Sequence, residues 1–274
     1  MPELPEVETV KNQLLSELNL PVQIQHIAFS EFNLRSPSPR TQADFFANQT
    51  LVSITRRSKY LLFQFASGEG FLSHLGMTGR WRLQASGKPL IKHDHVILNL
   101  AGFKQLIYND PRRFGFFEIL KKQEIHPLLR KLGPEPLSEN FEENSFFKKL
   151  KSRKSAIKSV IMNAEVVVGV GNIYASESLF RSGISPMKKA HRLKLSEAKK
   201  LMLEIRQVLT EAIGSGGSTI DDYRDVFGKS GGFQNQFFVY GRESFKCLKC
   251  KATIKKKNLS GRATYWCPSC QSSK

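Results

Sequence analysis

"LVSITRRSKYLLFQFASGEGFLSHL", residues 51–75, reads as three short runs of aliphatic, aromatic and β-branched residues, divided by charged or Gly/Ser-bearing turns. Such runs fit a pleated, half-buried surface, and the breaks between them are turn chemistry. The same texture extends from Val22 to about Leu120, with "HVILNL" at 95–100, "QLIYN" at 105–109 and "FGFFEIL" at 114–120. Strands this short and this closely spaced predict an antiparallel sandwich or barrel rather than a βαβ sheet. Upstream, Val7, Val10, Leu14 and Leu18 recur at helical spacing and predict an amphipathic helix over 4–19. Downstream, "HPLLRKLGPEPLSENF" at 126–141 is broken by Pro127, Pro134 and Pro136 and marks a boundary. Beyond it Leu195, Ala198, Leu201, Met202, Ile205, Val208, Leu209 and Ala212 form one apolar helical stripe. Ser196 is the expected N-cap of that helix and Gly214 its stop. The Gly-rich stretch 214–232 reads as a long functional loop.

The chain has 274 residues, with 42 Lys and Arg against 24 Asp and Glu, a net charge of +18 and a pI near 9.9. That imbalance attracts polyanions, nucleic acid first and an anionic membrane surface second. Ordinary hydrophobic content, 40%, excludes wholesale disorder. No stretch approaches the roughly 18 apolar residues of a membrane span. The acidic start, with Glu3, Glu6 and Glu8, lacks the basic and apolar regions of a secretion signal, so a cytosolic protein is expected.

All four cysteines fall near the C-terminus, as "CLKC" at 247–250 and "CPSC" at 267–270. This C-x₂-C-x₁₆-C-x₂-C spacing suits one structural Zn²⁺ held by four thiolates, Cys247, Cys250, Cys267 and Cys270, with no open position for catalysis. Arg242, Lys246, Lys249, Lys251, Lys255, Lys256, Lys257 and Arg262 surround it. The module reads as a metal-pinned hairpin pressed on phosphates, the alternative being a zinc staple with a solvated basic face.

Several segments together resemble the formamidopyrimidine-DNA glycosylases. They are "PELPEVET" (2–9), "RRSKYLL" (56–62), "HLGMTG" (74–79), "KHDHV" (92–96), "NDPRRFG" (109–115), "LGPEPL" (132–137), "VGVGNIYASESLF" (168–180) and "VYGR" (239–242), followed by the cysteine module. The resemblance runs in order along essentially the whole chain. It implies an α+β multidomain fold: an N-terminal helix plus antiparallel β-sandwich, a helical helix–two-turn–helix domain and a C-terminal β-hairpin zinc finger. The expected domains are 1–130, 131–236 with a lesion loop at 216–233, and 237–274.

The implied activity is excision of oxidised purines (8-oxoguanine, formamidopyrimidines) from duplex DNA, followed by β,δ-elimination at the abasic site. Met1 precedes a small penultimate residue, so its removal is expected, leaving Pro2 as the terminus. An α-amine titrates near pKa 8 and lysine near 10.4, so at pH 7 the neutral fraction favours the terminus by about two orders of magnitude. Proline is also a secondary amine, and its adduct with sugar C1′ is a permanently charged iminium, the electron sink a lyase step needs. The resemblance assigns Pro2 as nucleophile, Glu3 as proton shuttle and Lys59 to the catalytic set, with Glu6 and Glu177 supporting them. A base must leave the helix to be reached, and Met77, Arg112 and Phe114 match the residues that fill the gap. Read alone, Met77 and Phe114 would serve as ordinary packing residues. His74, His93, Lys158, Asn172, Tyr240 and Arg262 match further DNA contacts. Lesion-bearing or abasic double-stranded DNA is the expected partner, with no membrane, for a monomer in a bacterial cytoplasm associated with the nucleoid.

Two other readings remain open in the sequence. An endonuclease VIII-type enzyme for oxidised pyrimidines shares the architecture, although that branch typically starts PEGPE where this chain has Leu4. A non-enzymatic zinc-finger DNA-binding protein would show the same charge and cysteines without needing Pro2 and Glu3.

Overall fold

In the computed structural model residues 1–219 and 223–271 are described. The chain divides into two compact units, Met1–Arg130 with Ser215–Gly232, and Lys131–Gly214 with Phe233–Lys274. The loop segment that follows the long helix in sequence thus groups with the N-terminal unit.

The first unit opens with α1 (Leu4–Glu17). Proline in the first turn loses no hydrogen bond there, and Glu3 and Glu6 close a reciprocal capping box around the helix start. Val7, Val10, Leu14 and Leu18 are all buried, as their spacing requires. Eight antiparallel strands follow: β1 (Val22–Phe29), β2 (Thr50–Arg57), β3 (Tyr60–Phe65), β4 (Gly70–His74), β5 (Arg80–Ala85), β6 (Asp94–Leu100), β7 (Lys104–Asn109) and β8 (Phe116–Leu120). Their order is β5-β7-β6-β1-β2-β3-β4-β8. β1 changes partner along its length: Val22 and Gln23 pair with β2, whereas Ile24 to Phe29 pair with β6 across a register shift. This corner lets the two halves of the sheet face each other. Trp81 of β5 packs 6.1 Å from Phe71 of β4 and 5.2 Å from Phe63 of β3, although β5 and β4 lie near opposite ends of the strand order. A short helix, α2 (Pro127–Arg130), ends this part of the chain.

The second unit contains α3 (Glu143–Lys151), α4 (Ile157–Ile161), α5 (Asn172–Ser182) and α6 (Leu195–Gly214). Two turns between α4 and α5 make the helix–two-turn–helix, and Gly183, at φ 75°, ends α5 in the left-handed conformation. Seven of the eight apolar stripe residues of α6 are buried, the Leu, Ile, Val and Met side chains among them worth about 1.5–3 kcal/mol each when fully covered; Leu195, at the helix start, is exposed. The expected N-cap needs correction. The helix begins at Leu195, so Ser196 lies in its first turn, and the Lys194 N–H instead donates to Glu197 Oε2 at 2.8 Å. The carboxylate out-competes the hydroxyl because it also complements the helix dipole. A two-stranded hairpin, β9 (Lys255–Leu259) and β10 (Arg262–Trp266), completes the unit. Among the described residues no helix is long and apolar enough to cross a membrane.

Candidate functional site

Pro2 and Glu3 are buried at the start of α1, while Met1 remains 52% exposed. The Glu3 N–H donates to Glu6 Oε2 at 2.7 Å. The other Glu6 oxygen accepts from the Ser218 N–H at 2.7 Å and the Ser218 hydroxyl at 3.1 Å. Gly217, at φ 79°, packs so close that a Cβ there would lie 2.9 Å from Glu6 Cγ. The buried Glu6 carboxylate thereby fixes both the helix start and the returning 215–219 segment.

Lys59 sits at the tip of the tight β2–β3 hairpin, whose Ser58 takes φ 59°. Arg56 braces that tip, its Nε donating to Glu8 Oε2 at 2.6 Å and its Nη1 to Ser58 O at 2.8 Å. Burial pushes the Glu8 carboxyl up, but its Lys11 and Arg56 partners outweigh this and hold it below the ordinary value. The hairpin carrying Lys59 is therefore tied to the helix carrying Pro2.

His74, at the end of β4, stacks on Phe116 at 5.4 Å and an interplanar angle of 9°. The Gly76 N–H donates to its Nδ1 at 2.9 Å, which leaves Nε2 as the protonated nitrogen of the neutral ring. Burial, reinforced by the charges of Lys59 and Arg35, lowers its pKa from 6.5 to about 4. His74 can thus offer a phosphate a neutral N–H donor throughout the physiological range. A consequence concerns stability. The unfolded histidine binds a proton below about pH 6.5 and the folded one only below about 4, so this contribution is complete above 6.5 and lost on descending to 4. The shift corresponds to about 3 kcal/mol. Urea unfolding at pH 7 and pH 4.5 should therefore show a larger acid loss for wild type than for His74→Gln, with no imidazole inflection at His74 between pH 5 and 8.

Met77, Arg112 and Phe114 come together on two adjoining loops. Met77 and Phe114 are 37% and 46% exposed, so neither is core packing. The Arg112 guanidinium lies 4.8 Å from the Phe114 ring centre. Gly76 and Gly115 let the loops touch: a Cβ on Gly76 would fall 2.3 Å from the Gly115 nitrogen. Asp110, fully buried, secures the contact, accepting from Thr78 Oγ1 at 2.5 Å and from the Gly115 N–H at 2.8 Å. Its N–H donates to the carbonyl of His93, which itself sits at φ 73°. Asp110 went unassigned in the sequence, although an Asp directly before Pro111 is a turn signal.

In the second unit Asn172 is the first residue of α5, after N-cap Gly171. Lys158, expected to face DNA, is instead 1% exposed. Its ammonium donates to Asn172 Oδ1 at 2.5 Å, Ala263 O at 3.0 Å and Thr264 Oγ1 at 2.8 Å. A buried ammonium needs all its donors satisfied, and these three acceptors join α4 and α5 to the finger hairpin. Tyr240 lies 5.1 Å from Tyr265 and accepts from Asn172 Nδ2 at 3.5 Å. Glu177 is fully buried and accepts from the N–H groups of Phe238, Val239 and Tyr240 at 2.8–3.0 Å. Burial raises its pKa against those three donors, and its carboxylate holds the turn that leads into the finger. Arg262 is exposed where β10 leaves the Ser260–Gly261 turn, both of whose φ angles are positive.

The sulfur atoms of Cys247, Cys250, Cys267 and Cys270 lie within 4.8 Å of one another, with Cys247–Cys270 at 3.9 Å and Cys250–Cys267 at 3.4 Å. A tetrahedron with Zn–S bonds of about 2.3 Å has edges of about 3.8 Å, so the donor set fits one structural Zn²⁺.

Residues 1–117 match the family described as "Formamidopyrimidine-DNA glycosylase N-terminal domain". Residues 132–224 match "Formamidopyrimidine-DNA glycosylase H2TH domain", and 244–272 match "Zinc finger found in FPG and IleRS". A formamidopyrimidine-DNA glycosylase of Bdellovibrio bacteriovorus is 44% identical over 99% of this chain and 100% of its own. The Lactococcus lactis Fpg in complex with abasic-site DNA superposes with a TM-score of 0.90 at 36% identity, covering 98% and 99% of the two chains. The same protein with DNA containing Fapy-dG gives 0.89 at 36% identity, covering 98% and 100%.

Proposed function

The chain belongs to the formamidopyrimidine-DNA glycosylase family, and from that premise we propose how its own residues divide the family's work. The protein is a DNA glycosylase and abasic-site lyase of base-excision repair that acts on oxidised purines in duplex DNA. The observation that carries the residue assignment is the helix-borne terminus, where Pro2 and Glu3 are held by the Glu6 carboxylate at 2.7 Å from the Glu3 N–H. With Met1 removed, the Pro2 nitrogen attacks C1′ as the bond from C1′ to the purine breaks and the base departs with a proton. The C1′–O4′ bond then breaks, O4′ taking a proton and leaving a C1′ iminium, which withdraws electrons while a C2′ proton is lost and the C3′–O bond to the 3′ phosphate breaks; a second elimination, with loss of the C4′ proton, breaks the C5′–O bond to the 5′ phosphate. Glu3 carries protons during base departure and ring opening. Lys59, on its braced hairpin, belongs to this catalytic set.

Met77, Arg112 and Phe114 act as the wedge. The two apolar side chains replace the lost stacking, and the guanidinium can hydrogen-bond the base left behind. His74, Asn172 and Arg262 contact the DNA backbone, with His93 and Tyr240 as further DNA-facing residues; Lys158 acts through Asn172 and the finger hairpin rather than by direct exposure. Glu177 has a supporting role. The three domains expected from the sequence, 1–130, 131–236 and 237–274, are a functional division of catalysis, duplex binding and the finger. The 216–233 loop closes over the extruded purine; residues 220–222 of it lie outside the described residues. The protein works as a monomer on DNA in the bacterial cytoplasm, in association with the nucleoid.

Excision from duplexes bearing 8-oxoguanine opposite cytosine, compared with thymine glycol, tests the substrate class. The purine lesion should be removed at least about ten-fold faster, a difference of ~1.4 kcal/mol in barrier. The reverse preference would assign the chain's substrate to the pyrimidine class.

A further inference from the structure

Helix α1 grips the 215–232 segment at a second place besides Glu6. Gln13 lies seven residues along the same helix, about two turns from Glu6. Its amide makes two directed contacts: Nε2 donates to Asp225 Oδ2 at 2.7 Å, and Oε1 accepts from the Val226 N–H at 3.0 Å. Asp225 is buried and closes a small knot of chain. Its Oδ1 accepts from the N–H groups of Phe227 at 3.0 Å and Lys229 at 2.7 Å. Its own N–H donates to Lys229 O, and its carbonyl accepts from Gly228, both at 3.0 Å. Gly228, at φ 78°, supplies the left-handed residue that such a turn needs. On either side of Asp225, the side chains of Tyr223 and Val226 enter the core cluster that also contains Val7, Val10 and Leu14. A buried carboxylate satisfied by neutral donors is costly to strip of one of them.

We propose that Gln13 is a positioning residue for base excision: through Asp225 it locks the 223–229 turn onto α1. The helix into which Pro2 and N-cap Glu3 lead then also carries the base of the loop that covers the purine. An α-helix transmits position rigidly over this distance, so amine and loop share one frame. The inference rests on the proposed role of that loop. It leads to a dependence on substrate: a lesion that still has its base needs the loop in place, whereas an abasic site has no base to cover.

The test compares wild type, Gln13→Ala, Gln13→Glu and the double variant Q13E/D225N by amide hydrogen exchange without DNA and by single-turnover assays. Gln13→Ala should raise exchange at Val226, Phe227 and Lys229 about ten-fold and slow 8-oxoguanine excision by a similar factor. Cleavage of a preformed abasic site should change less than about two-fold. Gln13→Glu, which faces one carboxylate with another, should be worse, and Q13E/D225N, which restores an amide donor opposite a carboxylate, should recover both readouts. Unchanged exchange in Gln13→Ala overturns the proposal. So does faster exchange with excision at the wild-type rate, or a parallel fall of excision and abasic-site cleavage. A wild-type protein that cleaves abasic DNA but spares 8-oxoguanine would instead refute the substrate reading, and the exchange arm would still decide whether Gln13 holds the turn.

Discussion

Sodium borohydride added to the Met1-free protein and abasic-site DNA is expected to trap one covalent adduct, with Pro2 as the attached residue. The reduction converts an iminium between the Pro2 nitrogen and C1′ into a stable amine, so the adduct reports the intermediate directly. Retaining Met1 or acetylating the terminus should remove the adduct and slow strand cleavage by about 10³-fold or more, because the only secondary amine is then blocked. Pro2→Gly keeps a terminal amine of similar pKa but makes it primary, so its iminium carries an N–H proton and can fall back to a neutral imine, whereas the proline iminium has no such proton to lose. That variant should still trap weakly and cleave roughly ten- to a hundred-fold more slowly. Peptide mapping of the adduct checks the assignment. An equally strong adduct from acetylated protein, mapped to Lys59, would move the nucleophile to the hairpin.

Removal of zinc is the second large effect. The finger's own core is small: Cys247, Cys267, Ile254 and Val239 are buried with Phe180, and two of those five groups are metal ligands. A module this size lacks the apolar surface to fold alone, and structural zinc contributes on the order of 10–16 kcal/mol in isolated fingers. Chelation, or Cys267→Ser, should therefore release the 255–266 hairpin, with Arg262 and the basic residues Lys255, Lys256 and Lys257. Fluorescence anisotropy at fixed salt should show duplex affinity falling on the order of a hundred-fold, with a shallower salt dependence as phosphate contacts disappear. Lys158 would lose its Ala263 and Thr264 acceptors, so exchange protection around Asn172 should fall as well. Affinity unchanged by complete chelation would remove the finger from the DNA-binding surface.

Local chemistry in the chain was enough for the parts that depend on neighbours in sequence. The two CxxC pairs specify tetrahedral ligation because each short turn presents two thiolates to one point. The helix at 4–17 and its apolar face follow from spacing, as do six of the eight strands in the first unit. The two strands that carried little signal are β1, with Gln23, Gln25 and His26 among its apolar residues, and β5, an edge strand whose apolar content is mainly Trp81 and Leu83. Both are strands by virtue of their partners, since ladder pairing and a half-buried face count for more than propensity there. The family motifs single out Pro2, Glu3, Met77, Arg112 and Phe114 as candidates, but carry nothing about how these residues are held.

What the tertiary structure alone decided is which side chains meet. Met77 and Phe114 are 37 residues apart, and only the close approach of Gly76 to Gly115, with Asp110 between the loops, puts them on one surface. By resemblance Lys158 is a DNA contact; three acceptors from two distant segments make it a buried strut. Residues 215–232 follow the long helix in sequence yet belong with α1, through Glu6–Ser218 and Gln13–Asp225, contacts 212 residues apart. The physical reason is common to all three. Helix periodicity, turn preference and ligand spacing act over a few residues, whereas hydrogen-bond satisfaction of a buried charge depends on whatever the fold brings within 3 Å.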